Sequence, residues 1–272
     1  MDNQIIATES GVTQYFAMNR EQMLDRFAGD EKKLNIFKNS IIEQVTNNKA
    51  LASCSVDSIV RECYKAANMG LSLCRAMNHA YLVPYAGQPQ LIIGWRGYVA
   101  LALSTGRYRT LNAGVIHRGE LENYNPLTGE VKFSGKFYPS EPIVGYFCYF
   151  EIENKETGVV YRHSLIMGVN DMINHAKAYV KTLRNTSSEQ LYQASQNSNG
   201  TGIGWIQNFT AMAVKTIVKQ NLTKWGVLSS ELESLIQSDR EPQDIVEGAK
   251  SSAGSEEIRE EEFMDIDNND NQ

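Results

Sequence analysis

Four sites in this chain place cations where they could grip phosphate. In Gly94-Trp95-Arg96-Gly97 an arginine sits between two glycines, after the apolar run QLII and before the helical stretch YVALALSTG. There the helix macrodipole disfavours positive charge, and an anion at the helix N-terminus relieves the conflict. The glycines remove side chains where a ligand's backbone could approach, and the guanidinium fork suits phosphate. A surface arginine in a tight turn fits the same residues equally well. Arg107 and Arg109, separated by one residue, face one side of an extended segment. They make either a phosphate clamp or a pair of cations favouring a helix C-terminus. Lys177, Lys181 and Arg184 share one face of a helix, with no acid between Asp171 and Glu189 to pair with them; a solvated face is the alternative. Lys215 and Lys219 repeat that spacing, and Thr216 adds a hydroxyl donor. Trp95 and Tyr81 offer rings to stacked bases, or support the local hairpin.

Catalytic chemistry has fewer footholds. Asp171 and His175 are spaced to share a metal, but a third ligand must come from His163 or elsewhere. The basic regions lack the clustered carboxylates of two-metal nucleases. No GxxxxGK[ST] motif occurs, so a Walker-type ATPase is excluded, and no serine or cysteine sits in a nucleophile elbow. The four cysteines contain no CxxC pair and read as buried free thiols. No cofactor and no metal are expected.

Net charge is −6, which at face value opposes nucleic acid, but the charge is unevenly placed. Glu231 to Gln272 hold 14 acids and 3 bases, whereas residues 1–230 hold 18 acids and 23 bases. Between Glu62 and Glu120 lie 57 residues without Asp or Glu, where the chain average predicts about seven. Lys65, Arg75, Arg96, Arg107, Arg109 and Arg118 fall in that gap. A second acid-free gap of 41 residues, 190–230, contains Lys215, Lys219 and Lys224. A purely buried segment would lack arginines too. Cations without balancing anions, interleaved with tyrosine and tryptophan, suit a single-stranded nucleic acid.

The elements that position these residues follow from local pattern. Residues 1–19 are weakly patterned and expected to be loose. Residues 20–48 and 55–69 read as helices, the second capped by Ser55 and stopped by Gly70. HAYLVPY and QLIIGW, joined by AGQP, read as a β-hairpin, and a helix follows from about Gly97 to Thr105. Segments 111–118, 131–137, 142–152 and 159–168 alternate as strands and, with the hairpin, form an antiparallel meander. VNDMINHAKAYVKTLRN reads as a helix, NTSSEQLYQASQNSNGTG as a flexible linker, and Ile203 to Trp225 as a long helix. Beyond Ser238 the chain is acidic and poor in core formers. The fold class is α+β: an antiparallel sheet packed with helices and a flexible acidic C-terminal tail. The expected divisions are a loose N-terminus at 1–19, a core at 20–228 and an acidic, largely disordered tail at 229–272. No apolar run is long enough for a membrane span and MDNQIIATESGV is unlike a signal peptide, so a cytoplasmic location without membrane contact is expected.

GLSLCRAMNHAYLVPYAGQPQLIIGWRGYVALALSTG resembles the signature of the RecT family of bacteriophage and prophage single-strand DNA annealing proteins. Tyr81 to Tyr85 match its first strand, and Gln90, Leu91, Ile93, Gly94 and Gly97 its second. WIQNFTAMAVKTIVKQ resembles the family's later motif through Trp205, Met212, Ala213, Lys215 and Thr216. The resemblance covers about residues 20–228. Where the family has an aromatic-Lys pair before Gly97, this chain has Trp95-Arg96, which keeps ring and charge but grips phosphate differently.

The resemblance implies binding of single-stranded DNA, ATP-independent annealing to a duplex, and assembly into rings or helical filaments. It also implies a partner 5′→3′ exonuclease and contact with the host single-strand-binding protein. On this reading the chain is not an enzyme. Phosphates are expected to meet Arg75, Arg96, Arg107, Arg109, Lys177, Lys181, Arg184, Lys215, Thr216 and Lys219, leaving base edges free to pair. The alternatives are a passive single-strand coating protein and a metal-dependent nuclease built on Asp171, His163 and His175.

Overall fold

A computed structural model describes residues 7–74, 76–197 and 204–230, together with 232, 233 and 236. The segment 9–68 is helical: α1 (Glu9–Met18), α2 (Arg20–Arg26), α3 (Glu31–Asn47) and α4 (Val56–Asn68). Residues 9–18, expected loose, form α1 because Thr8 caps it by accepting from the Gly11 N–H, and because Val12 and Phe16 share a buried face. Phe16 meets Phe37 of α3 edge to face, with centroids 6.1 Å apart. The single helix expected over 20–48 is broken at Ala28 and Gly29, whose φ values of 52° and 79° no helix accommodates. Asp30 then restarts the chain as α3 by accepting from the Lys33 N–H. Ser55 caps α4 in the same way, and Gly70 leaves it at a φ of 69°.

The strands β1 (Ala80–Tyr85) and β2 (Gln88–Ile93) form the expected hairpin, closed by Ala86 and Gly87 with φ of 47° and 78°. The turn is two residues, and Pro84 pairs opposite Pro89. Next comes α5 (Trp95–Ser104), then β3 (Tyr108–His117), β4 (Leu121–Asn125), β5 (Glu130–Phe133), β6 (Ile143–Glu153) and β7 (Val160–Gly168). The class is α+β, as expected, but the strands make three antiparallel sheets: β1-β2, β3-β6-β7 and β4-β5. β1-β2 and β4-β5 stay separate two-stranded ribbons, the first packed on α4 and the second against β7.

Along β6 the even-numbered residues Tyr146, Cys148 and Phe150 are fully buried, while Phe147, Tyr149 and Glu151 lie on the other face. The buried face is covered by α8 (Phe209–Trp225), which also packs against α5. Nearly every position of α8 from Phe209 to Val218 is buried, so it is a central helix and not a surface one. In the chain, α6 (Val169–Tyr179) and α7 (Ser188–Gln196) come after β7 and before α8. Helix α6 stops at Val180, and Lys181–Leu183 form a separate 3-10 turn. Within the segment expected to be a flexible linker, residues 188–196 fold as α7, capped by Ser187 and anchored by buried Leu191 and Ser195, while 198–202 lie outside the described residues. One contiguous apolar core joins α1 to α8. Cys54, Cys63 and Cys148 are buried in it as free thiols, and Cys74 is half-buried. The acidic tail from 237 onward lies outside the described residues.

Candidate nucleic-acid interface

The hairpin delivers the chain to α5 through Gly94, whose N–H donates to the His79 carbonyl (2.9 Å). Gly94 is the helix N-cap and offers no side chain to its N–H groups. Both glycines of the motif are required by the protein's own backbone. A Cβ on Gly94 would sit 2.5 Å from the Asn78 carbonyl oxygen, and one on Gly97 would collide with the His79 carbonyl and lie 2.7 Å from Ile93 Cγ2. The close approach read in the sequence is therefore real, but the approaching group is the turn before β1 and not a ligand.

Arg96 projects into solvent from this tight junction, its guanidinium carbon 5.4 Å from the centroid of half-buried Trp95. Among the described residues no carboxylate pairs with it. Burial, and then the Arg96 charge, push His79 below the ordinary histidine value. The Ser72 N–H donates to His79 Nδ1 (3.4 Å), which fits the neutral ring. The first turn of α5 thus carries an exposed cation at the positive end of a helix without a side-chain cap, an arrangement that an anion completes.

The other predicted residues separate into accessible and packed sets. Arg107, exposed, sits just beyond α5, at the opposite end of that helix from Arg96. Arg109 is exposed but lies 3.9 Å from Glu151, which also accepts from Arg162 (2.8 Å) and from the Tyr149 hydroxyl (2.5 Å). The Tyr149 hydroxyl and then Arg162 hold Glu151 below the ordinary carboxylate value. The Arg107/Arg109 clamp is thus half-neutralised within the protein. Lys177 is half-buried, and Lys181 and Arg184 are exposed, but the break at Val180 removes them from a common helical face. Lys215 is 3% exposed, its ammonium 6.0 Å from the ring centroid of fully buried Tyr98, and Thr216 is buried beside it. Only Lys219 of that helical set is half-exposed. Tyr81 is half-buried in the hairpin opposite Ile92. Arg75 lies outside the described residues. Lys224 and Trp225, absent from the predicted set, are both exposed at the end of α8. An aromatic next to a lysine, in an acid-free gap and before a glycine, was the signal available for them.

A sequence model of the RecT family matches residues 35–253. The chain belongs to the RecT family. The match begins within α3 and runs to residue 253, past residue 228 where the motif resemblance ends. The chain is 32% identical over 224 residues to the uncharacterized protein YqaK of Bacillus subtilis (strain 168), covering 81% of this chain and 70% of that one. It is 24% identical over 211 residues to protein RecT of Escherichia coli (strain K12), covering 75% and 70% of the two chains. RecT proteins are DNA-binding proteins of single-strand annealing recombination.

In this RecT-family chain the residues of the nuclease alternative are dispersed. His163 Nδ1 is 2.7 Å from Asn221 Oδ1 and its ring stacks on Trp225, whereas His175 lies against Tyr179 with centroids 4.4 Å apart. Asp171 is exposed in the first turn of α6. Among the described residues no three His, Cys, Asp or Glu side chains are gathered to hold a metal. Among those residues, too, no helix is long and apolar enough to cross a membrane.

Proposed function

We propose that this RecT-family chain binds single-stranded DNA along a basic track and anneals complementary strands without ATP, acting as an annealing protein and not as an enzyme. The observation that carries the reading is Arg96: exposed, without a carboxylate partner among the described residues, and set at a helix N-terminus inside a 57-residue acid-free stretch. Phosphate there satisfies the helix N–H groups and the guanidinium together. Arg107, Lys177, Lys181, Arg184 and Lys219 extend the track at the surface; Lys215, Thr216 and Tyr81 support it from within. Contacts to phosphate leave base edges free and make binding independent of sequence. Copies side by side, in a ring or helical filament, would continue the track, and a 5′→3′ exonuclease would supply the single strands. Contact with the host single-strand-binding protein belongs to the same reading. The acidic segment after residue 236 is proposed either to dock a partner or to occupy the basic surface when DNA is absent.

Two complementary dye-labelled oligonucleotides, mixed with the protein and no nucleotide, report pairing directly. Wild type is expected to accelerate duplex formation, and folded Arg96→Glu to lose most of that acceleration. Each phosphate contact removed should lower the slope of log affinity against log salt by about 0.7. Binding that slows pairing would identify a passive coating protein, and a flat salt response would overturn the phosphate track.

A further inference from the structure

We propose that the outward face of Trp225 is a stacking platform for one unpaired nucleobase. The inference rests on the DNA-binding reading and assigns it a base contact at the far end of α8, away from Arg96. Trp225 is 50% exposed although its ring stacks on His163, with centroids 4.5 Å apart and planes inclined by 21°. His163 is nearly parallel to Tyr161 as well (23°), and Tyr161 is 44% exposed. Three near-parallel π faces thus end at an open ring, where a planar base adds the next layer.

The platform is held rigidly from two sides. Asn221, fully buried one helical turn before Trp225, donates through Nδ2 to the Cys148 carbonyl (3.0 Å). Its Oδ1 is then the acceptor facing His163 Nδ1 at 2.7 Å, so Nδ1 carries the proton and the ring plane is fixed. On the other side the Tyr108 hydroxyl accepts from the Val227 N–H (2.7 Å) and donates to the Val227 carbonyl (2.9 Å). Gly226 makes this possible, since a Cβ there would lie 2.5 Å from that hydroxyl. None of these contacts uses the outer face of the indole. A ring already immobilised loses little freedom when a ligand arrives.

The surroundings choose between a base and an apolar partner. Lys224 precedes the ring and is exposed, and exposed Arg107 precedes Tyr108, whose hydroxyl pins the chain just after it. The whole segment lies in the second acid-free gap, 190–230. An open π face at the end of an acid-free segment, with exposed Lys224 next to it in the chain, matches a nucleotide, whose base stacks while its phosphate is neutralised.

The test uses the full-length protein and oligo(dT) carrying 5-iodouracil. Irradiation of the wild-type complex is expected to give a cross-link that mass spectrometry maps to Trp225. Trp225→Leu should bind oligo(dT) about 5- to 150-fold more weakly, as expected for loss of one stacked base. Trp225→Phe, which keeps a ring, should stay near wild type, and circular dichroism checks that each variant folds. Wild type that binds without a cross-link at 225, and a folded Trp225→Leu that binds equally well, would overturn the platform and leave the annealing reading standing. A changed oligomeric mass in Trp225→Leu with unchanged DNA affinity would assign the face to a subunit contact and also overturn it. Failure of wild type to bind oligo(dT) at all would remove both readings.

Discussion

Gly97 and the His79 carbonyl leave no room between them for a methyl group, while the neighbouring Arg96 side chain stands in solvent. The two residues therefore carry separable duties. Gly97→Ala is expected to destabilise the fold by about 1–3 kcal/mol through overpacking, seen as a lower urea midpoint. Arg96→Ala should leave that midpoint within about 0.5 kcal/mol of wild type, and weaken DNA binding. The glycine spacing was legible in the sequence as a sign of close approach, but not the identity of what approaches. That is set by residues 78 and 79, which the hairpin folds back onto α5. Lys215 shows the same limit from the other direction. Its spacing from Lys219 reads as a surface pair, yet it points at Tyr98 from a helix that is buried along most of its length. A lysine in a sequence declares its charge and not its surroundings.

Helices were legible where a cap and an apolar period coincided, as at Ser55 and α4, and illegible where one buried pair sufficed. In α1 the buried large side chains are Val12 and Phe16; in α7 the buried residues are Leu191 and Ser195, inside a composition that otherwise reads as linker. The helix expected through residue 185 was cut at Val180, so the basic run Lys177, Lys181, Arg184 spans a helix, a break and a turn. Helix α6 also carries a pH dependence. Burial pushes His175 below its ordinary value of 6.5, and burial together with Arg96 does the same to His79. A histidine with a lowered folded value binds its proton more readily when unfolded. Both therefore contribute stability that is complete above about pH 6.5 and declines as pH falls toward their folded values. Urea midpoints measured from pH 7.5 to 5.5 are expected to fall, and His175→Gln should flatten part of that slope. A midpoint rising on acidification would contradict the assignment.

Charge separation is the leading feature at the scale of the molecule: 14 acids against 3 bases after residue 230, and 18 against 23 before it. This was plain from sequence alone, since counting charges needs no fold. Truncation after Leu228 is expected to raise affinity for single strands, most at low salt where the acidic segment competes best. Unchanged affinity in a salt titration would remove the competition and leave partner docking as the role of the segment. The α+β class was legible for a related reason, because helix and strand periods alternate along the chain. The division into three sheets was not, because strand pairing depends on contacts between distant residues.

The bond between the Tyr108 hydroxyl and Val227 joins residues 119 positions apart and seals α8 over the central sheet. A ribosome adding about 5–20 residues per second needs about 6 to 24 s to travel that distance. For the later part of that interval, once residue 150 has been made and until α8 follows, the face of β6 carrying Tyr146, Cys148 and Phe150 exists without its cover. The nascent chain is then a sticky, half-closed object that a chaperone can hold. The proposed basic track and the apolar core are both completed by the same late helix, so on that proposal competence to bind and safety from aggregation arrive together.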